Sequence, residues 1–204
     1  MARKSRRDVI IEAAAELFAE KGFRATTVRD IADVAGVLSG SLYAHIQTKE
    51  DLYLEIVRRA ANDFTRAVKP IVEGGDSPEI KLENMIAAHL GVIEESRAWA
   101  RVYLDDDNQL SQSTREEARR LRRDYERLWD TVLDQGMGSG LFRVKDESLS
   151  RLFILSALNG VIRWYRPEGR LSPQDIAQEF MPLVLRVLGA FPAYPHRSQK
   201  FAAY

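Results

Sequence analysis

Titratable and nucleophilic side chains are plentiful in this 204-residue sequence, but their spacing supports no catalytic reaction. The three histidines, His45, His89 and His196, stand far apart. No H-E-x-x-H pair, phosphate-cradling Walker loop, G-x-S-x-G elbow or paired-cysteine motif occurs. There is no cysteine, which excludes disulfides, thiolate metal sites and a cysteine nucleophile, and suits a reducing compartment. Asp105-Asp106-Asp107 lacks the turn glycine and distal glutamate of a calcium loop, and reads as a solvated acidic cluster at a helix end. The expectation is therefore no catalytic residue, no metal ligand and no cofactor; a helical hydrolase or transferase is the rejected alternative.

Chemistry suited to binding is concentrated between Thr27 and Leu52. In Ile31-Ala32-Asp33-Val34-Ala35-Gly36-Val37, Ala32 is small enough for a second helix to approach closely. Gly36 can take the positive φ of a tight turn, and Val37 plugs the wedge between two helices. That is the spacing of a helix-turn-helix, although ordinary helical hairpins share it. The next segment, Ser39-Gly40-Ser41-Leu42-Tyr43-Ala44-His45, is a very short helix with small or hydrogen-bonding residues. Leu42 faces inward, while Ser39, Ser41, Tyr43 and His45 can face the major groove. Lys49 opens the following helix, where its charge and the helix dipole together suit a phosphate.

The elements that must position these residues are helical almost throughout. Val9, Ile10, Ala13, Ala14, Leu17 and Phe18 recur at three- and four-residue intervals, the stripe of a helix packed on one face. Gly22 is a left-handed stop after it. Helix starts are marked by Thr27…Asp30, Thr48…Asp51, Ser113…Glu116, Ser172…Asp175 and Ser77-Pro78. Alternating β-branched runs are absent, so the fold class is all-α. Helices are expected near 7–21, 28–35, 39–45, 49–69, 78–97, 99–110, 114–137, 147–166 and 173–190. Lysine plus arginine and aspartate plus glutamate both number 30, so the net charge is zero. A balanced total leaves nucleic acid open as a partner, because the local distribution governs docking. Arg3, Lys4, Arg6 and Arg7 make the start locally basic. The longest apolar run, Leu152 to Ile162, is too short to span a bilayer, and nothing resembles a signal peptide. A cytoplasmic location is expected.

Thr26-Thr27-Val28-Arg29-Asp30-Ile31-Ala32, Ala35-Gly36-Val37, Gly40-Ser41-Leu42-Tyr43, His45 and Lys49-Glu50-Asp51-Leu52 resemble the DNA-binding signature of the TetR-family repressors. Ala14 to Phe23 is similar to that family's first helix, so the likeness covers about 50 contiguous residues. The resemblance implies an N-terminal three-helix head in residues 1–50 and a ligand-binding and dimerisation domain in 51–191, with a mobile tail in 192–204. It implies a homodimer whose two reading helices lie one DNA turn apart, roughly 34–36 Å, on a palindromic operator. Thr27, Tyr43 and Lys49 are then the phosphate contacts; Ser39, Gly40 and Ser41 lie nearest base edges, with His45 at the groove and Arg29 either at the backbone or solvated. Leu38, Ser39 and Ile46 depart from the family pattern of serine, a basic residue and phenylalanine. Without a long cationic reader at Ser39, the operator sequence is not specified.

In the second half, Leu149 to Arg166 is apolar nearly all round, as in a helix buried on two sides. Asn159 and Arg163 interrupt it on one face with Leu155. They are either internally paired or form the polar end of an apolar ligand cavity, with Arg163 offering a planar fork. His89 is either a satisfied polar group or a pocket contact. The broad apolar face of Ile176, Phe180, Leu183, Val184, Val187 and Leu188 suits a helix that pairs with a second subunit's in a four-helix interface. Leu38-Ser39-Gly40-Ser41-Leu42-Tyr43 together with Arg163-Trp164-Tyr165-Arg166-Pro167-Glu168-Gly169 resembles the subgroup that senses acyl-CoA thioesters. That resemblance implies an acyl chain within the bundle and phosphates met by Arg163 and Arg166, with Trp164 at the ligand or at the dimer seam. A different amphipathic effector, such as a drug, is the alternative. Effector binding is expected to shift the helix from Lys49 to Lys69 like a lever.

Overall fold

The computed structural model describes residues 5–44, 46–105 and 110–190, and all regular structure among them is helical. Three helices come first, α1 (Arg6–Ala25) and the shorter α2 (Val28–Ala35) and α3 (Ser39–Leu42). The long α4 (Lys49–Glu73) leads into α5 (Pro78–Glu95), α6 (Arg97–Leu104), α7 (Gln112–Gly138), α8 (Glu147–Trp164) and α9 (Pro173–Val187). Asp106, Asp107, His196 and the segment 192–204 lie outside the described residues, as do Arg3 and Lys4.

Side chains that close the helix starts appear where the sequence placed them, with one exception. Thr27, Thr48 and Ser172 each accept from an amide three residues on, while Asp30, Asp51 and Asp175 accept from the cap's own N–H. For α7 the capping hydroxyl is Ser111, two residues earlier than expected. Other boundaries moved for identifiable reasons. Gly22 breaks the regular α1 at φ 82°, but the chain resumes helical hydrogen bonding to Ala25. Helix α4 runs through Pro70 to Glu73. Helix α6 ends at Leu104, with Asp105 extended. Helix α9 ends at Val187, where Gly189 turns at φ 66° and Arg143 N–H donates to Leu188 O at 2.8 Å.

One continuous core runs from Ile10 and Phe18 in the head, through Ile56 and Phe64 of α4, to Trp129, Leu158 and Leu185 of the bundle. Helix α4 packs on α5, α6, α7 and also α1, while α1 rests on α6. The head is thus fused to the bundle without a flexible linker. A close approach fixes the end of α7: a Cβ on Gly136 would fall 2.0 Å from the buried Phe142 ring. Gly136→Ala is expected to lose about 2 kcal/mol of stability by overpacking, seen as a fall of several degrees in the thermal midpoint. An unchanged midpoint would contradict the packing described.

Candidate nucleic-acid interface and sensing cavity

In the head, Ile31, Ala32 and Leu42 are buried and hold α2 against α1 and α3. Gly36 adopts φ 64° and ψ 38°, and the amides of Gly36 and Val37 return to carbonyls of α2. The turn therefore has the form its spacing suggested. Burial of Leu42 pushes the rest of α3 outward: Ser39, Gly40, Ser41 and Tyr43 are all exposed, Tyr43 by 59%. Thr27 and Arg29 are also exposed. The Thr27 hydroxyl oxygen accepts from Asp30 N–H at 3.1 Å, and hydrogen bonds from Thr27 hold the Asp30 carboxyl below its usual pKa. His45 lies outside the described residues. Leu38, 81% exposed just before α3, is an apolar residue at the surface beside the reading helix.

Lys49 does something other than expected. Its ammonium donates to Phe23 O at 2.7 Å and Thr26 O at 2.8 Å, and sits 4.2 Å from the Phe23 ring centroid. The buried Thr26 hydroxyl donates to Gly22 O and Leu17 O. Together they satisfy carbonyls left open at the end of α1. The Lys49 side chain thus fastens α4 to α1 here rather than reaching towards solvent. Of the basic start, Arg7 pairs with Glu55, and Arg59 bridges Glu55 and Asp8.

The bundle encloses a cavity of about 110 Å³ between α5, α6, α7 and α8. Leu155 and Asn159 line it, as does His89, which is also hydrogen-bonded to the Tyr125 hydroxyl. Tyr103, Tyr125, Arg122 and Arg151 complete much of the wall. Arg163 and Arg166 are not part of that wall; both are exposed. The motif around them is held by residues the sequence did not single out. Arg97 donates to Tyr165 O and Ile162 O, closing the end of α8, and the Tyr165 hydroxyl donates to Glu94. Trp164 is 52% exposed. No group of acidic, histidine or cysteine side chains suited to a metal occurs among the described residues.

His89 is fully enclosed, stacked near Phe64 and Tyr125, with Nδ1 2.8 Å from the Tyr125 hydroxyl. Burial lowers its pKa from 6.5 to about 4, with Asn159 opposing that shift. Because the unfolded chain binds this proton more readily, the stabilisation is complete above pH 6.5 and is lost as pH falls towards 4. The contribution is on the order of 3 kcal/mol. Denaturant unfolding at stepped pH is expected to show this slope, and His89→Gln to remove most of it; an equal slope in the variant would contradict the assignment.

An outward-facing helix-turn-helix fused to a helical bundle with an internal cavity defines a one-component DNA-binding regulator. Residues 10–56 match the family model for bacterial regulatory proteins of the tetR family, and 75–188 match that for the tetracyclin repressor-like C-terminal domain. The chain belongs to the TetR family of bacterial transcription regulators. It is 38% identical over 183 residues to the HTH-type transcriptional repressor KstR2 of Mycobacterium tuberculosis, covering 89% of this chain and 92% of that one. The solved structure of ketosteroid transcriptional regulator KstR2 from that organism superposes with a TM-score of 0.80 at 37% identity, over 90% of this chain and 95% of that one. The fold is also that of AibR, solved in complex with isovaleryl coenzyme A and operator DNA, with a TM-score of 0.79 at 23% identity, over 88% of this chain and 97% of that one. No described helix is long and apolar enough to cross a membrane.

Proposed function

We propose that this protein is a cytoplasmic, non-enzymatic repressor that binds a palindromic operator as a homodimer and leaves it when an acyl-CoA binds. The observation that carries this reading is the outward face from Leu38 to Tyr43, held on a head that shares one continuous core with a cavity-bearing bundle. Residues 1–50 form the reading head and 51–191 the sensing and pairing domain. Ser39, Gly40 and Ser41 approach base edges, with His45 beside the groove. Leu38 suits apolar contact such as a thymine methyl. Thr27, Arg29 and Tyr43 contact the phosphate backbone. Lys49 contributes through the stiffness it gives the head, and its backbone N–H at the start of α4 remains suited to a phosphate.

The homodimer reading is supported by an apolar stripe that nothing among the described residues covers. Leu149, Phe153 and Trp164 of α8 are exposed with Leu183 of α9, and Ala157 and Gly160 between them permit close helix approach. A partner's α8 and α9 against these would make a four-helix interface. The effector reading is supported by Leu155 and Asn159 at the cavity and by exposed Arg163 and Arg166, which suit phosphates at the solvent end.

Tyr43→Ala is expected to weaken binding to DNA from upstream of the protein's own gene at least tenfold in gel shifts at fixed salt; unchanged affinity would count against the interface. Titrating acyl-CoA thioesters into that complex is expected to release the DNA. If none does, the effector class is wrong while the DNA interface stands. Phe153→Glu, placing a charge in the seam, is expected to convert a dimer to monomer by sedimentation or light scattering. A wild-type monomer, or an unaltered dimer in the variant, would refute the seam.

A further inference from the structure

We infer that Leu38 sets the operator preference by packing on the C5-methyl group of a pyrimidine in the major groove. One base of each half-site is then chosen by an apolar contact and not by a hydrogen bond. The inference rests on the DNA-binding reading above and names the chemical group which that surface selects. Thymine and 5-methylcytosine carry this group; uracil and cytosine lack it.

The start of the reading helix carries little else that could choose a base. A recognition helix meets base edges with its N-terminal residues, which here are Ser39, Gly40 and Ser41, following Leu38. Arginine and lysine select guanine, asparagine and glutamine select adenine, and carboxylates select cytosine. From Leu38 to Ala44 none of these side chains occurs. A serine hydroxyl both donates and accepts, so Ser39 and Ser41 suit more than one base. Gly40 has no side chain, and Leu42 is buried. Leu38 is left with a one-sided preference: it gains from a methyl group and gains nothing from a polar edge.

Packing among the described residues does not account for a leucine at this place. Leu38 takes no part in the core and is 81% exposed, although Leu42, four residues on, is fully buried. It stands at the N-cap of α3, with φ −69° and ψ 137°, and its carbonyl accepts from Ser41 N–H and Leu42 N–H. A serine, threonine, aspartate or asparagine at an N-cap also holds an open amide with its side chain. Such caps close the starts of α1, α2, α4, α5, α7, α8 and α9. Leu38 gives α3 none. The leucine therefore forgoes a cap hydrogen bond and leaves apolar surface in water. A methyl-bearing base edge that covers it offsets both losses.

Fluorescence anisotropy with the full-length protein at fixed salt tests this on the tightest duplex that the protein recovers from a randomised library. Recovery of no duplex would sink the DNA-binding reading and this inference with it; the remaining arms test the inference alone. Each thymine is replaced in turn by uracil in both half-sites, which deletes one methyl group and keeps every hydrogen-bonding edge. The wild type is expected to lose about fourfold per half-site at one such position, the worth of one buried methyl group. With cytosine placed there instead, 5-methylcytosine is expected to bind tighter than cytosine by the same factor. Leu38→Ser supplies an ordinary cap residue, so its thermal midpoint is expected to match or exceed the wild type's. Its affinity is expected not to distinguish uracil from thymine. Leu38→Met, apolar and of similar volume, is expected to keep most of the distinction. The inference is overturned if no uracil position weakens the wild type beyond about twofold, if cytosine and 5-methylcytosine bind equally, or if the methyl effect persists in Leu38→Ser.

Discussion

The arrangement depends on the clasp between Lys49 and the end of α1. A helix C-terminus leaves carbonyls open, and two of those around the end of α1, from Phe23 and Thr26, are held by one ammonium from the first turn of α4. Charge-assisted hydrogen bonds of this kind are stronger than neutral ones. The Phe23 ring beneath the ammonium adds a cation–π contact and packs edge-on to Tyr53 of α4. The head therefore has no hinge of its own at this junction. Any displacement of the first turns of α4 carries α1 with it, and with α1 the short reading helix that α2 braces.

Contacts between the cavity and that clasp give ligand binding something to act on. Arg122 lines the cavity, holds Tyr103 O and Asp105 O at the end of α6, and reaches the Tyr53 hydroxyl at 3.4 Å. Glu50, beside Lys49, accepts from Ser111 and Thr114 at the start of α7. The first turn of α4 is thus held from two sides: α1 through Lys49, and α7 through Glu50. A ligand that spreads α7 and α8 needs only to prefer one position of α4 over another. A coupling of about 1–3 kcal/mol is then enough to change DNA affinity.

How much of this was legible in the sequence follows from the range of each interaction. Capping boxes at Thr27, Thr48 and Ser172 are contained within four residues, so pattern alone located them. The exposure of Ser39 to Tyr43 followed from a helix too short to bury more than Leu42. Lys49 was misread because its partners lie 23 and 26 residues away, at the end of a helix whose position spacing does not reveal. Arg97 was missed for the same reason, its carbonyl partners being 65 and 68 residues distant. Asn159 was singled out as a polar residue in an apolar helix, and the cavity contains it. Arg163 shares that spacing but lies beyond the cavity, because a turn of helix is enough to pass from wall to surface. Nothing local distinguishes Tyr103 from a packing tyrosine; its role as cavity wall arises only when α5, α6, α7 and α8 are brought together.

Helix α8 unites the remaining parts. One side of it, Leu155 and Asn159, faces the cavity, while Phe153, Ala157, Gly160 and Trp164 face outward along the apolar stripe. Leu152 and Ser156 lie between these sides, at the mouth. A close-packed helix cannot yield on one side alone, because interiors have little free volume to absorb a shift. A group entering beside Asn159 must therefore be felt both inward, at α7 with its hold on α4, and outward, where a second subunit would rest. The end of α8 is pinned by Arg97 and Tyr165, so displacement is directed towards its middle and start, where Arg151 grips Asp130 and Glu126 of α7. With the reading head tied to α4 through Lys49 and α8 gripped by α7 through Arg151, α7 is the element that joins the cavity to the first turn of α4.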